Sequence, residues 1–113
     1  MISTNKRYYK QLEKLVNRIE EVTGVNIKNE KSRKRHIVNA KKIYYHVARK
    51  NGCEFADISS FIGTDHSTAV FHYNDLPHII KYDKALFNQY LRVINREETK
   101  DRDYFELMIA KHL

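Results

Sequence analysis

Apolar residues recur along the chain at the three-to-four-residue step of a helix face, and polar or glycine-containing breaks separate the segments. Between residues 4 and 23 the apolar positions are Tyr8, Leu12, Leu15, Val16 and Ile19, which predicts an amphipathic helix ended by Gly24. Periodicity then lapses. Val25 and Ile27 are placed to tuck beneath the fold, and residues 28–35 read as a basic loop. A second helix is expected from His36 to Lys50, with Ile37, Ala40, Ile43, Tyr44, Val47 and Ala48 inward and Lys41, Lys42, Arg49 and Lys50 adding charge; Asn51-Gly52 stops it.

The most informative stretch is Asp57-Ile-Ser-Ser-Phe-Ile-Gly-Thr-Asp-His-Ser-Thr-Ala-Val-Phe-His-Tyr73. Ile58, Phe61 and Ile62 form one apolar face of a short helix, and Gly63 stands where the chain must reverse. A following helix begins at Thr64 or Asp65, either of which is a good N-cap, and turns Ala69, Val70 and Tyr73 inward. Residues 54–75 therefore predict a helix-turn-helix whose second helix opens on a polar, presented turn. Pro77, the single proline, is expected to end or kink that helix near Asp75 or to start another at its first turn. Leu86, Phe87, Tyr90, Leu91 and Ile94 mark a helix over about 82–96, and Tyr104, Phe105, Met108 and Ile109 a last one over 101–112. No stretch alternates as a strand and no repeat is present. The expectation is one all-α domain over residues 1–113, a bundle of five to six helices with a helical extension at 97–113.

Charge sharpens this picture through its placement. Residues 1–50 hold 14 Lys/Arg against 4 Glu, and residues 51–113 hold 7 against 10 Asp/Glu, so the net +7 is concentrated in the first half. Lys28, Lys31, Arg33, Lys34 and Arg35 crowd the predicted loop against Glu30 alone. A cationic half on a small domain points to a polyanion, nucleic acid ahead of membrane because no broad apolar face alternates with the charge. The single cysteine, Cys53, together with the lack of a signal peptide or long apolar run, leads us to expect a free thiol and a cytoplasmic protein.

Several chemistries fall away. Asp65, His66 and Ser67 are the residue types of a nucleophilic triad, but sequence neighbours on a helix point about 100° apart and form no relay. The six histidines show no i, i+4 pair and there is no thiolate pair, so no metal is expected. Gly63 has no phosphate-loop context, so no nucleotide or other cofactor is expected. At a helix tip, however, His66, Ser67 and Thr68 carry donors and acceptors, and Asp65 an acceptor, suited to base edges in a major groove.

The run Lys31-Ser-Arg-Lys-Arg-His-Ile-Val-Asn-Ala-Lys-Lys-Ile-Tyr-Tyr-His-Val-Ala-Arg-Lys50, followed by Asp57-Ile58 and Gly63-Thr-Asp-His-Ser-Thr68, resembles the C-terminal DNA-binding domain of the bacterial replication initiator DnaA. The likeness spans about residues 8–94, and its most specific part is Asp65-His66-Ser67-Thr68 behind a basic loop and helix. The resemblance implies a Trp-repressor-like helix-turn-helix, with Arg33 in the minor groove, Lys41 facing the major groove, and Asp65, His66, Ser67 and Thr68 meeting bases and phosphates there; Thr64 beside them is also expected among the DNA-binding residues. Lys34, Arg35 and Lys42 would add phosphate contacts. The chain departs from the family in having Gly63-Thr64 one residue short and without its basic residue, Lys41 for an Arg, and Phe71 for a later histidine. These 113 residues hold no counterpart of the family's ATPase domain, so the expectation is a stand-alone reader similar to small proteins of phages and mobile elements.

The expected function is sequence-specific double-stranded DNA binding without catalysis, in replication initiation or its control. The expected partners are DNA at the nucleoid and host or phage replication proteins. The alternatives are a transcriptional regulator, a protein-interaction module that keeps the fold but not DNA binding, and, more weakly, an RNA-binding domain whose tyrosines stack on bases.

Overall fold

The computed structural model describes residues 6–95. They form α1 (Lys6–Thr23), α2 (Arg35–Lys50), α3 (Phe55–Ile62), α4 (His66–Ile79) and α5 (Lys84–Asn95), with no strand among the described residues. The all-α expectation holds. The helix expected over 101–112, and with it the extension at 97–113, lies outside the described residues.

The bundle is built around α2, which packs against α1, α3, α4 and α5. A helix surrounded in this way is buried on every side, and residues 40–48 are all buried. Its polar groups must then end on protein partners rather than water. The Lys42 ammonium meets the Asp75 carboxylate of α4 at 2.7 Å. The Tyr44 hydroxyl donates to the Ile58 carbonyl of α3 at 2.6 Å, and Tyr45 donates to Thr64 Oγ1 at 2.9 Å. His46 Nδ1 and the Tyr90 hydroxyl of α5 lie 3.0 Å apart. Successive helix residues step by about 100°, so four of the five side chains from Lys42 to His46 tie α2 to three helices and the turn between two of them.

This arrangement corrects one expectation. Lys41 and Lys42 were assigned to the charged surface of α2, yet both are buried. A face made polar by sequence pattern is here covered by the basic loop and by α4, and each ammonium is satisfied inside.

The other inward positions follow the pattern. Leu12, Val16 and Ile19 of α1 join Ile43, Ile58, Ile62, Leu76, Leu86 and Tyr90 in one core, with Val25 and Ile27 tucked in from the connecting segment. The chain leaves α1 through Gly24, whose N–H still reaches the Glu20 carbonyl.

Pro77 neither ends α4 near Asp75 nor starts another helix: it lies inside α4, which continues to Ile79. Proline costs a helix one N–H and a clash with the preceding turn. At Pro77 only the last turn is affected, and the ring is buried beside Leu76. The stop comes after Ile79, whose carbonyl accepts from both Tyr82 and Asp83. The Asp83 carboxylate then caps α5, accepting from the Leu86 N–H at 3.0 Å.

Candidate nucleic-acid interface

The turn between α3 and α4 forms from local backbone bonds. Thr64 N–H returns to the Ser59 carbonyl and Gly63 N–H to the Ser60 carbonyl, the paired bonds that close a helix through a left-handed residue. Gly63 has φ +79°, and a Cβ there would lie 2.9 Å from Asn29 Oδ1. Only glycine meets both demands.

That close approach joins the basic loop to the turn. Asn29, itself left-handed at φ 60°, donates its N–H to the Ile62 carbonyl at 3.1 Å, satisfying an acceptor at the end of α3. The Lys28 ammonium sits 4.5 Å from the centre of the Phe61 ring. Beyond it, the Glu30 carboxylate accepts from Ser32 N–H, Ser32 Oγ accepts from Lys34 N–H, and the Lys41 ammonium donates to the Glu30 carbonyl. These bonds shape the loop from its backbone, leaving Lys28, Lys31, Arg33, Lys34 and Arg35 exposed. Arg33 and Arg35 share a shallow hollow of about 350 Å³ with Asn39, Ile79 and Asp83. The loop therefore runs from the turn before α4 to the flank of its far end.

The tip of α4 presents Asp65, His66 and Ser67 to solvent, with Thr68 half-buried behind them. Asp65 occupies the N-cap position in extended conformation, but its carboxylate accepts no bond from the helix. The capping role expected of Thr64 or Asp65 is thus not filled by either side chain. Thr64 is turned inward instead, accepting from Tyr45 and facing the Ser59 carbonyl at 3.4 Å. The His66 ring stands edge-on to Phe55 at 5.9 Å, and the other neighbours of Phe55 include Tyr73 and the Arg49 guanidinium, 4.8 Å from its centre.

Of the residues singled out from sequence, Arg33, Lys34, Arg35, Asp65, His66 and Ser67 lie at the surface around one turn and loop. Thr64, Lys41 and Lys42 face inward. Burial lowers the pKa of Lys41, opposed by the nearby Glu30 carboxylate. Phe71 is exposed, while His72 beside it stacks flat on Tyr45 at 5.6 Å. Burial, followed by the Lys42 charge, lowers the pKa of His72. Asn74 escaped the sequence reading, and two residues named there take places it did not assign: Arg49 shares the Phe55 ring with His66, and Phe71 precedes Asn74 along the exposed side of α4 from Ser67. The i, i+4, i+7 phase of Phe71 and Asn74 from Ser67 was available in the sequence.

Among the described residues, no group of three His, Cys, Asp or Glu is placed to hold a metal, and no helix is long and apolar enough to cross a membrane. Cys53 is a buried free thiol. Comparison with protein-family models, with curated proteins and with solved structures found no match to this chain.

Proposed function

We propose that this protein is a sequence-specific double-stranded DNA-binding module that uses the tip of α4 in the major groove and the basic loop against the backbone and minor groove. The observation that carries this reading is the junction of the two surfaces. The Asn29–Ile62 bond and the Gly63 approach hold five exposed cations beside an exposed polar helix start. Phosphate contacts set affinity and register, while base edges supply sequence information. The division matches a cationic loop and a short-chain polar tip. Binding of this kind requires no nucleotide, and it suits origin-box recognition in replication initiation or its control, at the nucleoid, alongside replication proteins.

A second reading, a protein-interaction module on the same scaffold, is favoured by one observation. Lys41, which the family resemblance assigns to the major groove, is buried against the Glu30 carbonyl.

Selection of bound sequences from random duplex DNA, followed by affinity measurements across salt concentration, tests the choice. Engagement of five loop cations predicts a slope of log K against log salt of about −4 to −5, and a shared sequence among the selected duplexes. A slope near zero with no enriched sequence supports the interaction module.

A further inference from the structure

The outward side of α4 is a single stripe: Ser67, Phe71, Asn74 and His78 are all exposed, at i, i+4, i+7 and i+11. Three of these are polar. Phe71 is 61% exposed at the middle of the stripe, an uncompensated apolar group on an otherwise hydrophilic face. Its ring is braced from one side, edge-on to His72 at 5.2 Å, and His72 is itself stacked flat on Tyr45. Phe71 is thus held on the surface by an aromatic stack that continues into the core, which reduces the entropy lost when it meets a partner.

We propose, resting on the DNA-binding reading above, that Phe71 is a specificity-determining residue that recognises the 5-methyl group of a thymine in the major groove. The methyl of thymine is the only apolar group that the four unmodified bases present there, and an apolar side chain is its natural partner. The flanking groups agree with an A·T-containing target: Asn74, one turn further along, carries the amide that pairs with the donor and acceptor of adenine. Along the helix axis Phe71 lies about 6 Å beyond Ser67, or roughly two base-pair steps. The thymine is therefore placed about two base pairs from the base met by the tip.

The test uses the full chain and a duplex obtained by selection, with each thymine replaced singly by deoxyuridine, which keeps base pairing and removes only the methyl. Wild-type protein is expected to lose about fourfold in affinity at one thymine, the value of burying one such group. Phe71→Ala is expected to bind the unmodified duplex about fourfold more weakly and to bind the thymine and deoxyuridine duplexes equally. Phe71→Leu, still apolar, should keep part of the discrimination. Sequence-specific binding by wild type that is indifferent to every deoxyuridine overturns the assignment to thymine and leaves the DNA-binding reading intact. So does a Phe71→Ala protein that retains the methyl effect. Failure of the wild-type chain to bind any duplex overturns both. A wild-type scan without any methyl effect overturns the assignment with no variant needed, a methyl effect is assigned to Phe71 by its loss in Phe71→Ala, and the melting temperature of Phe71→Ala checks that its fold is kept.

Discussion

The Tyr45 hydroxyl donates to Thr64 Oγ1 at 2.9 Å, and Thr64 Oγ1 lies 3.4 Å from the Ser59 carbonyl, so one hydroxyl of the central helix holds the turn residue just ahead of the Asp65 N-cap of α4. The direction of the proposed reading helix is set from the core through this bond. Tyr45→Phe removes one half-buried hydrogen bond and should cost about 1 kcal/mol in chemical denaturation. Thr64→Val should cost a similar amount, and the double variant less than the sum, because both delete one interaction. Full additivity would detach Thr64 from Tyr45 energetically.

Lys42 and Lys34 are both basic residues near α4, but only Lys34 is exposed. Lys42 forms an ion pair with Asp75 in which the lysine side chain is 8% exposed and the aspartate 29%. Lys42→Met strands a partly buried carboxylate and should lower stability by about 1–3 kcal/mol while leaving the salt slope of DNA binding unchanged. Lys34→Ala should do the reverse, holding the melting temperature and making the slope shallower by roughly one. A shallower slope for Lys42→Met would show that this ammonium leaves Asp75 for phosphate.

His66 and Asp65 separate reading from capping. Since the Asp65 carboxylate accepts no bond from the helix, Asp65→Ala should cost less than the roughly 1 kcal/mol typical of a bonded cap. His66→Ala is expected to lose about 1–3 kcal/mol on the selected duplex and little on a scrambled one. Competition binding gives the ratio of the two affinities. An unchanged ratio for His66→Ala removes direct readout from this tip.

Stability should fall in mild acid. His46 is 1% exposed, stacked on Tyr73 at 4.8 Å and edge-on to Tyr90, and burial, with a smaller contribution from Lys50, lowers its pKa from 6.5 to about 3. The unfolded chain takes up a proton near pH 6.5 that the folded chain refuses until about pH 3. Protons therefore favour unfolding within that window. The stabilisation is complete above about pH 6.5 and is lost progressively as pH drops toward 3, by at most about 1.4 kcal/mol per pH unit for one histidine. His72, also shifted down by burial, acts with the same sign. Denaturation at pH 7 and pH 5 should show the loss, and His46→Gln should flatten it. An equal pH dependence in that variant assigns the linkage to other groups.

By itself the sequence determined the helices and the surface chemistry, because both depend on local spacing. Leu12, Val16 and Ile19, or Ile58 and Ile62, declare a buried face through periodicity alone, and Gly63 declares a reversal because only glycine adopts its backbone without strain. The exposed Arg33, Lys34 and Arg35 and the tip residues Asp65, His66 and Ser67 were legible for the same reason. The tertiary structure decided what is buried on the second side of a helix. Periodicity marks one apolar face and assigns the rest to water, so it cannot signal that α2 is enclosed all round, with Lys41 and Lys42 satisfied internally and Tyr45 and His46 in the core. Nor can it signal that α4 runs through Pro77, since the cost of a missing N–H is local while the packing that offsets it is not. The contact of Asn29 with Ile62 and Gly63, which brings loop and tip together, joins residues over thirty positions apart and arises only when the chain is folded.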